Sequence, residues 1–283
     1  MSLASSAVAT PVGKQRKGLR REQKSPGDRV LGAISSFVVL FLYLPLAVVV
    51  LYSFSAADVA MWPIEGYTLG WYRELAQDKE IHQALRLSVL IGIASATVAV
   101  TLGTLAALAI DRFEFPGKAA LRYAAVLPIT LPGIVTGVAM LSFFSFLTWP
   151  MSQWTLIIGH ATFCIALVLN TVVARLGQLP RNISEASADL GAPPGRTFWR
   201  ITFPLIRPAI LAGAILAFTL SFDEVIVSFF LQGREPTLPL LIWGRLRVGL
   251  SPEINAVATV IILVSLAGVL LSNRLSKQAA LAG

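Results

Sequence analysis

Six apolar stretches, each long enough to cross a bilayer as a helix, constrain this chain more than any other feature; a crossing takes roughly 20 residues. They run near Val30–Phe54, Leu85–Ile110, Leu121–Leu147, Trp154–Ala174, Pro208–Leu231 and Ile254–Ser272. Of 283 residues, 55% are hydrophobic and 13% charged, about half the charged share of a soluble domain. That composition excludes a disordered chain and an ordinary water-soluble enzyme. One cysteine, Cys164, excludes an intramolecular disulfide and any Cys-based metal cluster, and two histidines, His82 and His160, are too few for a His-rich centre. The expected fold is an all-α membrane protein of six transmembrane helices. The third span carries Pro128, Pro132, Gly133 and Gly137, so a kink or break is expected there, inside a bundle where neighbours satisfy the freed backbone groups.

The net charge of +8 is then a question of where the charges lie. Ahead of the first span come Lys14, Arg16, Lys17, Arg20, Arg21, Lys24 and Arg29, whereas the next loop is acidic, with Asp58, Glu65, Glu74, Asp78 and Glu80. Arg112, Lys118 and Arg122 follow the second span, and Arg175, Arg181, Arg196, Arg200 and Arg207 follow the fourth. Lys and Arg gather on the inner side, which predicts two cytoplasmic termini. The loop after span five departs from this sorting, because Arg234, Arg245 and Arg247 fall outside. A first apolar run of this length is too long for a secretory signal and reads as a retained span behind a basic tail, residues 1–29.

The loop between spans four and five carries the most specific pattern. It reads Glu185-Ala186-Ser187-Ala188-Asp189-Leu190-Gly191 and, nine residues later, Ile201-Thr202-Phe203-Pro204. Ser184 is expected as the N-cap of a short helix that Gly191 ends in a left-handed turn. Thr197 would cap a second short helix that stops before Pro204. The pattern resembles the EAA signature of permease subunits from bacterial binding-protein-dependent ABC importers. Glu185, Ala186, Gly191, Ile201 and Pro204 match it; Ser187 and Phe203 stand where it has Ala and Leu. The resemblance implies a MetI-like permease domain over 30–275, a coupling loop over 181–204 that docks on an ATPase, and a short cytoplasmic tail over 276–283. No phosphate-binding G-x-x-x-x-G-K-[ST] run exists in the sequence. No cofactor is therefore expected on this chain, with ATP and Mg bound by the partner ATPase. The implied partners are a second permease subunit, two ATPase subunits and an extracytoplasmic solute-binding protein in a bacterial inner membrane.

Span five contains Ser221-Phe222-Asp223-Glu224-Val225. A carboxylate at mid-membrane costs about 3 kcal/mol on insertion scales, so both should face protein, water or a partner. Neighbours on a helix diverge by about 100°, so the pair cannot share one face. One can line a path while the other bonds a neighbouring helix; a packing pair that never meets solute satisfies the same cost. The segments Ser221–Val225, Thr237–Leu240 and Val248–Ala256 narrow the resemblance to the second permease subunit of spermidine/putrescine-type importers. Arg112–Lys118 and His160–Cys164 add to it. A polycation needs acceptors, which Asp223 and Glu224 with the faces of Phe222, Phe229 or Trp243 could supply. Arg234, Arg245 and Arg247 at the mouth would repel it. His160 and Cys164, one turn apart, read as core packing and His82 as solvated. The rival class is a proton-coupled secondary transporter using Asp223 and Glu224. A membrane-embedded enzyme ranks below it, for want of a nucleophile–base constellation.

Overall fold

The computed structural model describes residues 26–57, 61–180, 182–249 and 252–281. The basic tail, as far as residue 25, lies outside the described residues, as do Asp58 and Arg181. The chain divides into two compact units, Met1–Val49 and Val50–Gly283. The described part of the first is the bulk of helix α1 (Pro26–Tyr52), apolar from Val30 onward and long enough to cross a membrane. In the second unit α2 (Gly70–Gln77) leads into α3 (Lys79–Arg112), α4 (Lys118–Thr130), α5 (Gly133–Phe146) and α6 (Gln153–Leu176). After these come α7 (Asn182–Asp189), α8 (Pro194–Thr197), α9 (Phe203–Phe222), α10 (Ile226–Leu231), α11 (Leu238–Val248) and α12 (Pro252–Leu281).

Helices α3, α6 and α9 pack on one another to form the core. Ile91, Ala99, Ala107 and Ile110 of α3 meet Leu156, Val168, Leu169 and Val172 of α6, with Ile206 and Ala217 of α9. Gly92, Ala96, Ala99, Gly103 and Ala107 recur every three or four residues, so α3 presents a stripe of small side chains along one face. At Gly103 a Cβ would lie 2.9 Å from the Ile165 carbonyl oxygen, and only glycine permits that approach of α6. Buried hydroxyls of α3 tie it to its neighbours: Ser95 donates to the Ile157 carbonyl of α6 at 3.1 Å, and Ser88 accepts the Leu238 N–H at the start of α11 at 2.8 Å. A second cluster, built of Ile81, Ala84, Leu238, Leu241 and Val257, joins the start of α3 to α11 and α12.

Among the described residues, four single helices are long and apolar enough to span: Val30–Tyr52, Lys79–Arg112, Gln153–Leu176 and Pro194–Phe222. The third expected span is not one helix but two, α4 and α5, meeting at 108°. Pro132 drives Leu131 into extended backbone (φ −75°, ψ 141°), which ends α4, and the Pro132 carbonyl then opens α5 by accepting from Val135 and Thr136. The fifth expected span also differs. Its helix begins well before Pro208, running from Pro194 through a π-turn over Phe198–Thr202 into α9. It then stops at Phe222, so Asp223 and Glu224 lie in a break before α10 and not inside a helix. In the region of the sixth expected span, α12 continues to Leu281.

Candidate functional site: a two-helix hairpin and a broken span

The EAA-like segment folds as two short helices around a left-handed turn. α7 starts at Asn182, so Ser184 lies within its first turn and is not its cap. Gly191 has φ +74°, the conformation that ends α7 as its position suggested. Pro193 then blocks continuation and α8 begins at Pro194. Thr197 does not start a helix; its Oγ1 lies 2.8 Å from Ser187 Oγ, and this buried pair holds α7 against α8. The hydroxyl at the one departure from Ala in the pattern therefore has a partner. Nor does Pro204 end the second helix. Having no N–H, Pro204 cannot bond the Arg200 carbonyl, and the π-turn just before it, where Phe203 N–H donates to the Phe198 carbonyl, carries the helix past. Glu185, Ala186 and Pro204 are exposed, Gly191 stands open, and Ile201 is half-buried in the π-turn. Exposed Leu190 and Trp199 add apolar surface to this end. Arg112, the last residue of α3, reaches the same turn: its guanidinium donates to Thr202 Oγ1 at 3.2 Å and sits 5.6 Å from the Phe198 ring centre.

At the other site, the α9–α10 break separates the two carboxylates by role. Asp223 caps α9, its N–H donating to the Thr219 carbonyl, and its side chain is exposed. Glu224 folds back on α10: its Oε1 accepts the Val227 N–H at 2.9 Å, while its carbonyl accepts from Ser228 Oγ at 2.7 Å. Phe222 packs beside Phe218 and against the second apolar cluster. From α6, His160 reaches both sides of the break, with Nδ1 2.8 Å from Ser221 Oγ and Nε2 3.0 Å from Ser228 Oγ. His160 is thus a bonded core residue and Cys164 a buried one, as packing predicted. His82 is exposed.

Trp243 does not share a site with Phe222, Asp223 and Glu224. It lines a separate open cavity of about 400 Å³ with Glu80, Phe229 and Gln232, and the Arg247 guanidinium lies 5.2 Å from its ring centre. Beside that cavity Arg245 does not stand as a free positive charge. Its guanidinium bonds Asp78 at 2.8 Å, Glu80 at 2.7 Å and Glu253 at 2.7 Å, joining α3, α11 and α12. Three carboxylates around one guanidinium leave the group net negative, so the repulsion expected of Arg245 is absent. Burial opposes the charge on Asp78, yet hydrogen bonds from the Ile81 N–H and Arg245 outweigh it and hold the carboxyl below its usual range. Burial dominates at Glu253 and raises it, despite the attraction of Arg245 and with Asp78 adding to the rise. Sequence reasoning missed this network, in which Asp78 and Glu80 lie 167 and 165 positions from Arg245, and it missed Ser221 and Ser228. Their spacing of seven, two helical turns in an apolar run, was the available signal.

A family model described as "Binding-protein-dependent transport system inner membrane component" matches residues 99–279. The putrescine transport system permease protein PotI of Escherichia coli (strain K12) is 40% identical over 231 residues, 78% of this chain and 82% of that protein. The spermidine/putrescine transport system permease protein PotC of the same strain is 34% identical over 254 residues, 89% of this chain and 96% of that protein. Among solved structures, a bacterial ABC transporter involved in import of the polysaccharide alginate matches with TM-score 0.70 at 16% identity, covering 89% of this chain and 96% of that one. At that identity the match speaks for the fold alone, the MetI-like permease architecture. Such a subunit is a transport component, and ATP hydrolysis takes place on a separate chain. The chain belongs to the family of inner-membrane components of binding-protein-dependent transport systems and is a multi-pass permease subunit of an ABC importer.

Proposed function

We propose that this permease imports a polyamine, putrescine or spermidine, or a related small amino-group cation. The observation that carries the reading is the exposed Asp223 carboxylate at the break of a membrane helix, next to the C-terminal carbonyls of α9. A helix C-terminus and a carboxylate both favour positive charge, and broken helices form cation sites in transporters by this combination. The names of relatives at 34–40% identity point the same way. In this reading Asp223 receives the ammonium group and Glu224 shapes the break, while Phe222 stays in the apolar packing and the exposed Trp243 offers an aromatic face only in its own cavity. A second permease subunit, a different chain, completes the path, and an extracytoplasmic binding protein delivers solute. Two ATPase subunits bind ATP and Mg and dock on the loop 181–204 through Glu185, Ala186, Gly191, Ile201 and Pro204. Both termini and that loop are then cytoplasmic, as the Lys/Arg sorting requires.

The test is uptake of labelled putrescine into proteoliposomes holding the full importer. Asp223→Asn keeps shape and hydrogen bonding while removing charge, so uptake should fall at least about tenfold with assembly intact, the worth of roughly 1.4 kcal/mol. Normal uptake with normal assembly would remove Asp223 from the path.

A further inference from the structure

The break between α9 and α10 is held from α6 at four points. Cys164 Sγ donates to the Ala217 carbonyl at 3.4 Å on the α9 side, and Thr155 Oγ1, whose one proton is shared with the Ser152 carbonyl at 2.7 Å, lies 2.9 Å from the Leu231 carbonyl oxygen at the far end of α10. Between them His160, only 1% exposed, contacts Ser221 and Ser228 on opposite sides of the break. Gly159, next to it, lets Val227 and Leu231 of α10 come close against α6.

One tautomer of the ring satisfies these side-chain contacts. Ser228 spends its hydroxyl proton on the Glu224 carbonyl, so it accepts from His160 Nε2–H. Nδ1 is left with its lone pair and accepts from Ser221 Oγ–H. A neutral imidazole with the proton on Nε2 satisfies every group in this chain of contacts. The chain ends on the Glu224 main chain, one residue from Asp223.

We propose that His160 is the positioning residue of this site: by bridging Ser221 and Ser228 it sets how α9 and α10 meet, and so where the Asp223 carboxylate stands. The proposal rests on the reading of Asp223 as a solute contact, and it extends that reading to a buried residue that touches no solute. Losing the bridge frees the α10 end of the break and lets Asp223 wander, which weakens solute capture while the packing of α3, α6 and α9 persists. Glutamine at 160 keeps a donor at the Nε2 position, so the bond to Ser228 and most of the geometry survive.

A double-mutant cycle on the assembled importer tests this. His160→Ala should raise the putrescine concentration for half-maximal uptake about tenfold, the worth of one or two hydrogen bonds, with maximal rate changed less. His160→Gln should restore it to within about threefold. Combined with Asp223→Asn, His160→Ala should add less than about twofold, because both act on one group. Additive effects would overturn the proposal. A readout free of solute separates it from the polyamine reading: in a Cys164→Ala background, a cysteine at position 223 should change its rate with an impermeant maleimide when His160 becomes Ala. An unchanged rate overturns the proposal even if putrescine is transported. A changed rate with no putrescine import supports it and rejects the solute. If His160→Ala fails to assemble, Ser228→Ala, which deletes one hydroxyl, takes its place in both measurements with the same expected and overturning results.

Discussion

Gly191 stands at φ +74° with open space around its Cα, so the backbone and not crowding demands glycine there. A left-handed backbone costs a β-branched residue about 1–2 kcal/mol, enough to reshape a short hairpin without unfolding the bundle. Gly191→Val should therefore insert normally and lose most solute-stimulated ATP hydrolysis by the assembled importer, read by phosphate release. Arg245 makes a different kind of prediction. Removing it leaves Asp78, Glu80 and Glu253 facing one another, and like charges raise carboxyl pKa values. In the intact protein Asp78 sits below its usual range, so its contribution is present above the unfolded carboxylate pKa and fades as pH falls through the lower folded value. In Arg245→Gln the sign reverses: the folded pKa values rise, and uptake of protons on acidification relieves the repulsion. The variant should lose thermal stability at about pH 8 and recover much of the difference toward about pH 5, as melting in detergent would show. Gly191 was legible from the sequence because a turn is local. The Arg245 contacts were not, since residues 78, 80 and 253 reach it only through the fold.

Among the elements, α3 and α6 show how a pattern becomes a contact. The small-residue stripe of α3 was visible in the sequence, but not which helix it would face. At Gly103 the neighbours of a new Cβ are the Ile165 carbonyl, Val168 and the Leu169 N–H, mostly backbone that cannot step aside. Gly103→Val should lower the melting temperature through overpacking, by about 1–3 kcal/mol, whereas a change at the open Gly195 should not. The broken elements were half legible. Pro128 and Pro132 announced a break in the third span, and proline acts locally, so the expectation held. The α9–α10 break has no proline or glycine at residues 223–225. Glu224 opens it by turning its side chain onto the Val227 N–H, and His160 secures it from another helix. Periodicity sees only an apolar run there and continues the helix.

For the whole molecule, orientation is the property that charge sorting predicts. With Cys164 replaced by Ala, a cysteine at the exposed Glu65 should react with an impermeant thiol reagent in intact cells, and one at the exposed Arg196 only after lysis. The opposite pattern rejects the topology. The sequence by itself determined the class of this protein: apolar lengths set by bilayer thickness, a charge asymmetry, and a hairpin pattern whose turn needs glycine at 191. Each of these is written in neighbouring residues and needs no partner from elsewhere in the chain. Only the tertiary structure decided that His160 bridges the break beside Asp223, that Trp243 lies in a different cavity, and that Arg245 is neutralised. The reason is physical: hydrogen bonds and ion pairs act over about 3 Å, and contacts that short between residues 61 or 167 positions apart exist only once α6 has packed on α9 and α11 on the start of α3.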